Sequence, residues 1–225
     1  MENLKIHNLF DLKNTIARDF FLEFEYPWEI LSHIKNFIFE IIKKLDRNKF
    51  YSVCENVWAA KNSRISKNAF ISGPAIIDEC AEVRFGAFIR GGVIIGKNAI
   101  VGNSTELKNC ILFDKVQAPH FNYIGDSILG YKSHIGAGVI LSNLKSDKKN
   151  IIIKYKNFEK NLKIETGLRK LGAILADNVE IGCNSVLNPG SIICKNSNIY
   201  PLSMVRGVIE KNKILKNNGI LVDKI

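Results

Sequence analysis

Between residues 116 and 130 the chain reads VQAPHFNYIGDSILG, which places His120, Tyr123 and Asp126 within seven residues. An imidazole with its ordinary pKa of about 6.5 can take a proton from an amine or hydroxyl near neutral pH. Acyl transfer from a thioester needs such a base, a donor for the developing oxyanion, and cations to hold phosphates. Pro119 stiffens the backbone that presents the ring. A lone histidine is more often structural than catalytic, so the elements that would position His120 decide the reading.

Those elements keep a six-residue beat. Aliphatic residues return at Ile65, Ile71, Ile77, Val83, Ile89, Ile95, Val101 and Leu107, and again at Leu175, Ile181, Leu187, Ile193, Ile199 and Val205. Two positions before most of them the residue is small, as at Ala69, Ala81, Ala87, Ser185, Ser191 and Ser197. Period six suits neither an amphipathic helix nor an isolated alternating strand. It suits a coil in which three short strands make a triangular turn and every sixth side chain stacks in a narrow core. The pattern resembles the hexapeptide-repeat family. That resemblance implies a mainly β protein, a left-handed parallel β-helix, assembled as a homotrimer with sites between subunits.

Before the repeat, PWEILSHIKNFIFEIIKKL carries Ile30, Leu31, Ile34, Ile38, Ile41, Ile42 and Leu45 on one face, predicting an amphipathic helix that starts at Pro27 and ends near Lys43 and Lys44. A shorter helix is expected within Leu9–Phe24. The organisation read from this is a helical N-terminal cap over 1–60, expected to cover the open end of the coil, a β-helix acyltransferase domain over 61–210, and a tail over 211–225. Two stretches break the beat. One is roughly 112–123, read as a loop leaving the coil to carry His120 and Tyr123. The other is an inserted loop at 143–170, with nine basic residues against Asp147, Glu159 and Glu165, in which IIIKYKNFEKNLKI is expected to be a projecting hairpin.

A longer motif narrows the resemblance. VGNSTELKNCILFDKVQAPHFNYIGD is similar to the acetyltransferase half of the bacterial bifunctional enzymes that make UDP-N-acetylglucosamine. These carry V-G-N-x-x-E-x-K, then H-x-x-Y-x-G-D, then an I-G-A-G turn; here Ile135–Gly138 form that turn. The resemblance runs over roughly 80–207. It implies His120 as general base for the amine of a sugar phosphate, with acetyl-CoA as acyl donor. It implies Arg90, Lys108, Tyr123 and Lys149 as holders of the sugar phosphate, and Asn143 as a contact to sugar hydroxyls or amine. Ala137 and Cys183 fall where the family meets the pantetheine arm, Arg206 where it reaches a coenzyme A phosphate, and Arg169 and Lys170 near the coenzyme side.

The chain also departs from the family. His134 stands where the family has a substrate-contacting Asn, and Leu144 where it has Tyr. No glycine-rich nucleotidyltransferase stretch occurs, and 60 N-terminal residues are too few for that domain, so a stand-alone acyltransferase is expected. The altered positions support an alternative, a non-catalytic module that binds sugar phosphates or nucleotide sugars.

Lys and Arg exceed Asp and Glu by ten, which favours anionic partners without choosing among them. A basic surface is equally consistent with solvated lysines. Aromatic residues in the insertion are sparse (Tyr155, Phe158), so nucleic acid is not expected as a partner. No apolar run reaches the roughly 20 residues of a membrane span, and the charged N-terminus lacks the form of a signal peptide. Five cysteines without a CxxC pair read as reduced cytosolic thiols buried as small apolar residues, and four scattered histidines give no metal-ligand spacing. A cytoplasmic protein without membrane or metal is the expectation.

Overall fold

A computed structural model describes residues 2–156 and 161–224. Phe158 and Glu159 lie outside these residues. The chain winds a parallel β-helix of hexapeptide repeats with three faces, and each turn visits them in order. The first face begins with Arg64–Ile65 and continues through Glu82–Val83, Ile100–Asn103, Gln117–His120 and His134–Ile135 to Lys213–Leu215, giving eight parallel strands among the described residues. The second face begins with Phe70–Ile71 and runs to Met204–Val205, and the third includes Ala75–Ile77, Val93–Ile95, Ala173–Leu175 and Ser191–Ile193. Glu106–Leu112 and Tyr123–Leu129 are seven-residue strands that bend across the corner between the second and third faces.

The stacked aliphatic column is the core. Val83, Ile89, Ile95, Val101 and Leu107 are at most 1% exposed. Burying each such side chain contributes about 1.5–3 kcal/mol. The small residues occupy the bends: Ala81, Ala87 and Ala99 are buried, and the buried Ser191, Ser197 and Ser203 each donate a 2.7 Å hydrogen bond to a carbonyl of the coil. A hydroxyl there satisfies a carbonyl that the sharp bend would leave unpaired.

Third-face strands are apolar at three consecutive positions, as in Ala75–Ile77 and Val93–Ile95, so that face must be buried on both sides. The N-terminal segment covers it. Pro27–Ser32 forms a 3₁₀ turn and Ile34–Lys44 an α-helix, separated at His33 rather than joined in one helix. The helix packs against Ala75–Ile77, Val93–Ile95 and Glu106–Leu112. Phe10 and Phe21 meet Phe113 at 5.1 Å ring separation, and the Asp11 backbone N–H donates to Asp177 Oδ2 at 2.7 Å. The helical cap therefore lies along a flank, where it covers the apolar third-face strands, and not across the open end. Within the Leu9–Phe24 stretch only single turns form, at Leu12–Asn14 and Arg18–Phe21.

The insertion does form a hairpin, Ile152–Lys156 against Asn161–Glu165. It lies against the coil instead of projecting: Ile151 and Ile153 are buried, and Tyr155 donates to Glu210 at 2.7 Å.

Of the five cysteines only Cys110 and Cys194 are buried; Cys54, Cys80 and Cys183 are exposed, which corrects the expectation that all five serve as core residues. Among the described residues no helix is long and apolar enough to cross a membrane, and no group of three metal-ligating side chains occurs.

Candidate active site

The stretch read as a departing loop stays in the coil. Gln117–His120 is a first-face strand paired with Ile100–Asn103, and Ala118 and Ile124 occupy core positions at 0% exposure. The rhythm changes elsewhere. Val83 pairs with Val101 eighteen residues on, but Val101 pairs with Ala118 and Leu107 with Ile124 after seventeen. One residue is missing at the corner between the second and third faces, where Asn109 (φ 50) and Asp126 (φ 48) take the left-handed conformation. Asn and Asp tolerate this region better than other residues with a side-chain branch.

Shortening the corner stacks polar side chains from successive turns. Asp126 is 6% exposed, and its Oδ1 accepts from Asn109 Nδ2 at 2.9 Å. Its Oδ2 accepts from Asn143 Nδ2 at 2.5 Å and lies 4.0 Å from the Lys108 ammonium. Asn143 Nδ2 also donates to the Tyr123 hydroxyl at 3.2 Å. Burial pushes the Tyr123 phenol above its ordinary pKa, so it stays a neutral donor. Gly125 makes room: a Cβ there would fall 2.6 Å from the Tyr123 hydroxyl and 2.7 Å from Asn143 Nδ2. Arg90, one turn before Lys108, holds Glu106 at 2.7 Å, and that carboxylate raises the guanidinium pKa. Arg90, Lys108, Tyr123 and Asn143 thus converge on one surface that carries cations, a phenol donor and an amide.

His120 sits at the preceding corner, between the first and second faces. Its ring is exposed and makes no side-chain hydrogen bond among the described residues. Backbone bonds stack that corner along the axis. Gly138 donates to the His120 carbonyl at 3.1 Å, Asn184 to that of Ala137 at 2.8 Å, and Leu202 to that of Cys183 at 3.0 Å. Gly138 has φ 74 and packs on Asn184, so this bend takes glycine for both conformation and space. His120, Ala137 and Cys183 therefore line one continuous edge.

Other candidates lie apart. His134 begins its first-face strand in register with Gln117, at the opposite end of the face from His120, and its Nδ1 meets Glu180 Oε2 at 2.8 Å. Lys149 is exposed in the loop that follows the second-face strand Ile140–Leu141, where its backbone N–H bonds Asp147 at 3.0 Å. Arg206 lines a groove of about 610 Å³ beneath the hairpin with Lys145, Lys154 and Lys163. Arg169 and Lys170, expected on the coenzyme side, instead line a cavity of about 410 Å³ with Leu31, Ser32, Asn109 and Asp126. The chain returning from the insertion pairs Lys170 with Leu144 and brings it to this corner.

Sequence reasoning missed Asn109 and the share of the N-terminal segment in this corner, where Asn109 Nδ2 donates to the Leu31 carbonyl at 3.1 Å. Asp126 was part of the quoted motif but carried no role. The spacing of Asn109, Asp126 and Asn143, seventeen residues apart, was the available signal.

A family profile described as the GMPPB C-terminal domain matches residues 71–156. A protein named bifunctional protein GlmU from Methanococcus maripaludis strain C7 is 41% identical over 227 aligned residues, covering all of this chain and 53% of that protein. A bifunctional sugar-1-phosphate nucleotidylyltransferase/acetyltransferase from Sulfurisphaera tokodaii is 33% identical over 102 residues, 45% of this chain and 24% of that protein. The chain spans about half the length, or less, of these curated relatives. A crystal structure of a hexapeptide transferase family protein from Anaplasma phagocytophilum aligns over 75% of this chain and 80% of its own, with 14% identity and a TM-score of 0.42.

Proposed function

The chain is a hexapeptide-repeat β-helix that resembles the acetyltransferase domain of the bifunctional uridyltransferase/acetyltransferases, and on that premise we propose that it transfers an acetyl group from acetyl-CoA to the amine of an amino sugar phosphate or nucleotide sugar. The observation that carries this reading is that two built surfaces flank the second face of the coil, one at each of its corners. One is the edge of His120, Ala137 and Cys183, and the other is the cationic corner of Arg90, Lys108, Tyr123 and Asn143.

The chemistry follows from that arrangement. The pantetheine arm lies along the edge, with its thioester near Ala137 and Cys183. Lys108 and Arg90 neutralise the acceptor phosphate and Tyr123 donates to it, while Asn143 fixes a sugar hydroxyl or the amine. His120 removes a proton from the amine as its nitrogen bonds the thioester carbon. Collapse of the tetrahedral adduct breaks the carbon–sulfur bond, and the proton passes from the imidazolium to the departing thiolate. Leu144, bridged to Lys170 at the acceptor corner, alters which acceptor fits rather than the reaction class, while His134, held by Glu180 at the far end of the first face, lies away from both surfaces. Lys149 and Arg206 contribute at the periphery, to acceptor and coenzyme phosphates respectively.

The second face exposes apolar side chains toward its two ends, Phe70 (60%) and Phe88 (40%), then Val186 (38%) and Met204 (65%), on either side of Glu106, Tyr123 and Ile140 in the same register column, with Phe121 (58%) and Leu202 (70%) at the His120 edge. Apolar surface of this extent favours burial against other copies of the chain, and a homotrimer would cover it and enclose the edge.

The direct test is release of free thiol from acetyl-CoA across a panel of amino sugars, their 1-phosphates and their nucleotide conjugates. Turnover confined to phosphorylated amino sugars is expected. Absence of turnover with every acceptor, with sugar phosphate still bound, would favour the binding-module reading.

A further inference from the structure

Asp126 is the most enclosed charged group of the corner, and none of the roles above uses it. An ionised carboxylate only accepts hydrogen bonds. Both its oxygens are engaged by amides, Oδ1 by Asn109 and Oδ2 by Asn143. The second N–H of Asn109 goes to the Leu31 carbonyl, which ties the corner to the N-terminal segment. The second N–H of Asn143 goes to the Tyr123 hydroxyl.

The consequence is a fixed polarity. With both donors of Asn143 committed inward, its carboxamide oxygen is the polar atom left to a ligand, and it accepts only. Tyr123 receives a hydrogen bond from Asn143, so its own proton is left to donate. An Asn side chain without such a partner can turn end for end and present donors in place of the acceptor.

We infer that Asp126 is a positioning residue for the acceptor: it locks the Asn143 carboxamide with its oxygen toward an N–H or O–H of the sugar, and through Asn143 directs the Tyr123 proton to the phosphate. This rests on the acceptor site proposed above. The corner accordingly selects an acceptor with a hydrogen-bond donor beside its phosphate. The seventeen-residue spacing acquires a reason as well. An eighteen-residue turn, such as the one that passes through Arg90, Gly91 and Gly92, has an extra residue at this corner, which breaks the column of Asn109, Asp126 and Asn143.

The test is calorimetric titration of glucosamine-1-phosphate into the full chain, the Asp126→Asn and Asn143→Ala variants, and the double variant, with coenzyme A titrated in parallel. Each single substitution is expected to weaken sugar phosphate binding about tenfold, the scale of one hydrogen bond to a charged group. The double variant should lose little more than either single one, because Asp126 acts through Asn143. Coenzyme A affinity should not change, which also reports that the variants are folded. In turnover the loss should fall on the acceptor KM, not on kcat. Should Asp126→Asn fail to fold, Asn109→Ala frees the other carboxylate oxygen and should weaken sugar phosphate binding about threefold. Unchanged binding by Asp126→Asn, or losses that add in the double variant, would overturn the inference and leave the acceptor site standing. Failure of the unsubstituted chain to bind sugar phosphate would remove that site and the inference with it.

Discussion

The turns from Val101 to Ile135 and those from Leu175 to Val205 share one repeat but differ by one residue. In the later region Leu175 pairs with Ile193, Ile181 with Ile199 and Leu187 with Val205, always eighteen apart. Apart from Asp177, whose carboxylate is taken up by the Asp11 and Tyr131 backbone and by Lys195, its buried polar groups are hydroxyls spent on the coil's own carbonyls. In the earlier region the spacing is seventeen, and the shortened corner carries amides, a carboxylate and a phenol that bond each other and leave groups for a ligand. The difference teaches that the regular beat makes the scaffold, and a deletion in it makes the corner proposed here as the acceptor site.

Restoring the missing residue is the sharpest way to break that comparison. Insertion of one glycine after Asn109 should keep the coil, seen by far-ultraviolet circular dichroism, yet move the stacked side chains out of register. Acceptor binding should fall by about 100-fold or more, the scale of losing about two hydrogen bonds to charged groups. Glucosamine-1-phosphate titration reads this directly. A glycine inserted in the bend after Asn196 should cost stability without that selective loss.

A core truncation in the regular region should behave in the opposite way. Leu187 is fully buried, and Leu187→Ala should destabilise by about 2–5 kcal/mol through lost burial and the cavity left behind. Denaturant midpoints should drop, while acceptor affinity of the folded fraction is unchanged.

Next in size is a pH effect on the scaffold. Asp78, at the end of a third-face strand, accepts from the Glu79 backbone at 2.7 Å, but its other oxygen is buried without a partner among the described residues. Burial pushes its pKa up to about 6. The native state thus holds this proton more tightly than the unfolded chain does, and stability falls as pH rises from about 4 through about 6. Asp78→Asn should flatten that slope and gain about 3 kcal/mol at pH 8 relative to pH 4, measured by urea unfolding. An unchanged slope would assign the pH dependence to other carboxylates.

The smallest effect belongs to the exposed ion pairs. Arg64 lies 3.5 Å from Glu82 with its side chain 77% exposed. Arg64→Gln should change thermal stability by no more than about 0.5 kcal/mol.

The scaffold was legible because the side chains that stack in the core are aliphatic at a fixed period, and nothing else in the chain imitates that. The tightened corner was not legible from hydrophobicity. Leu112 and Phe113 are both apolar, so a six-residue count can pass from Leu107 to either; Leu112 enters the core and Phe113 turns outward to Phe10 and Phe21. Misplacing that step made VQAPHFNYIGD look like a departing loop. His120, Ala137 and Cys183 share an edge that follows from turn stacking once the register is known. Leu31, Asn109, Arg169 and Lys170 meet through contacts far apart in sequence, which no local pattern encodes. The triple-aliphatic third-face strands were a usable sign that a second layer must cover that face, and the N-terminal segment is that layer.

The central claim is that His120 is the base of an acetyl transfer at this edge. Thiol release from acetyl-CoA with glucosamine-1-phosphate, compared between the unsubstituted chain and His120→Ala, tests it most directly. The account predicts a fall in kcat of about 10²–10⁴-fold, with coenzyme A and sugar phosphate affinities and the circular dichroism spectrum unchanged. A His120→Ala variant that turns over at the unsubstituted rate would contradict it.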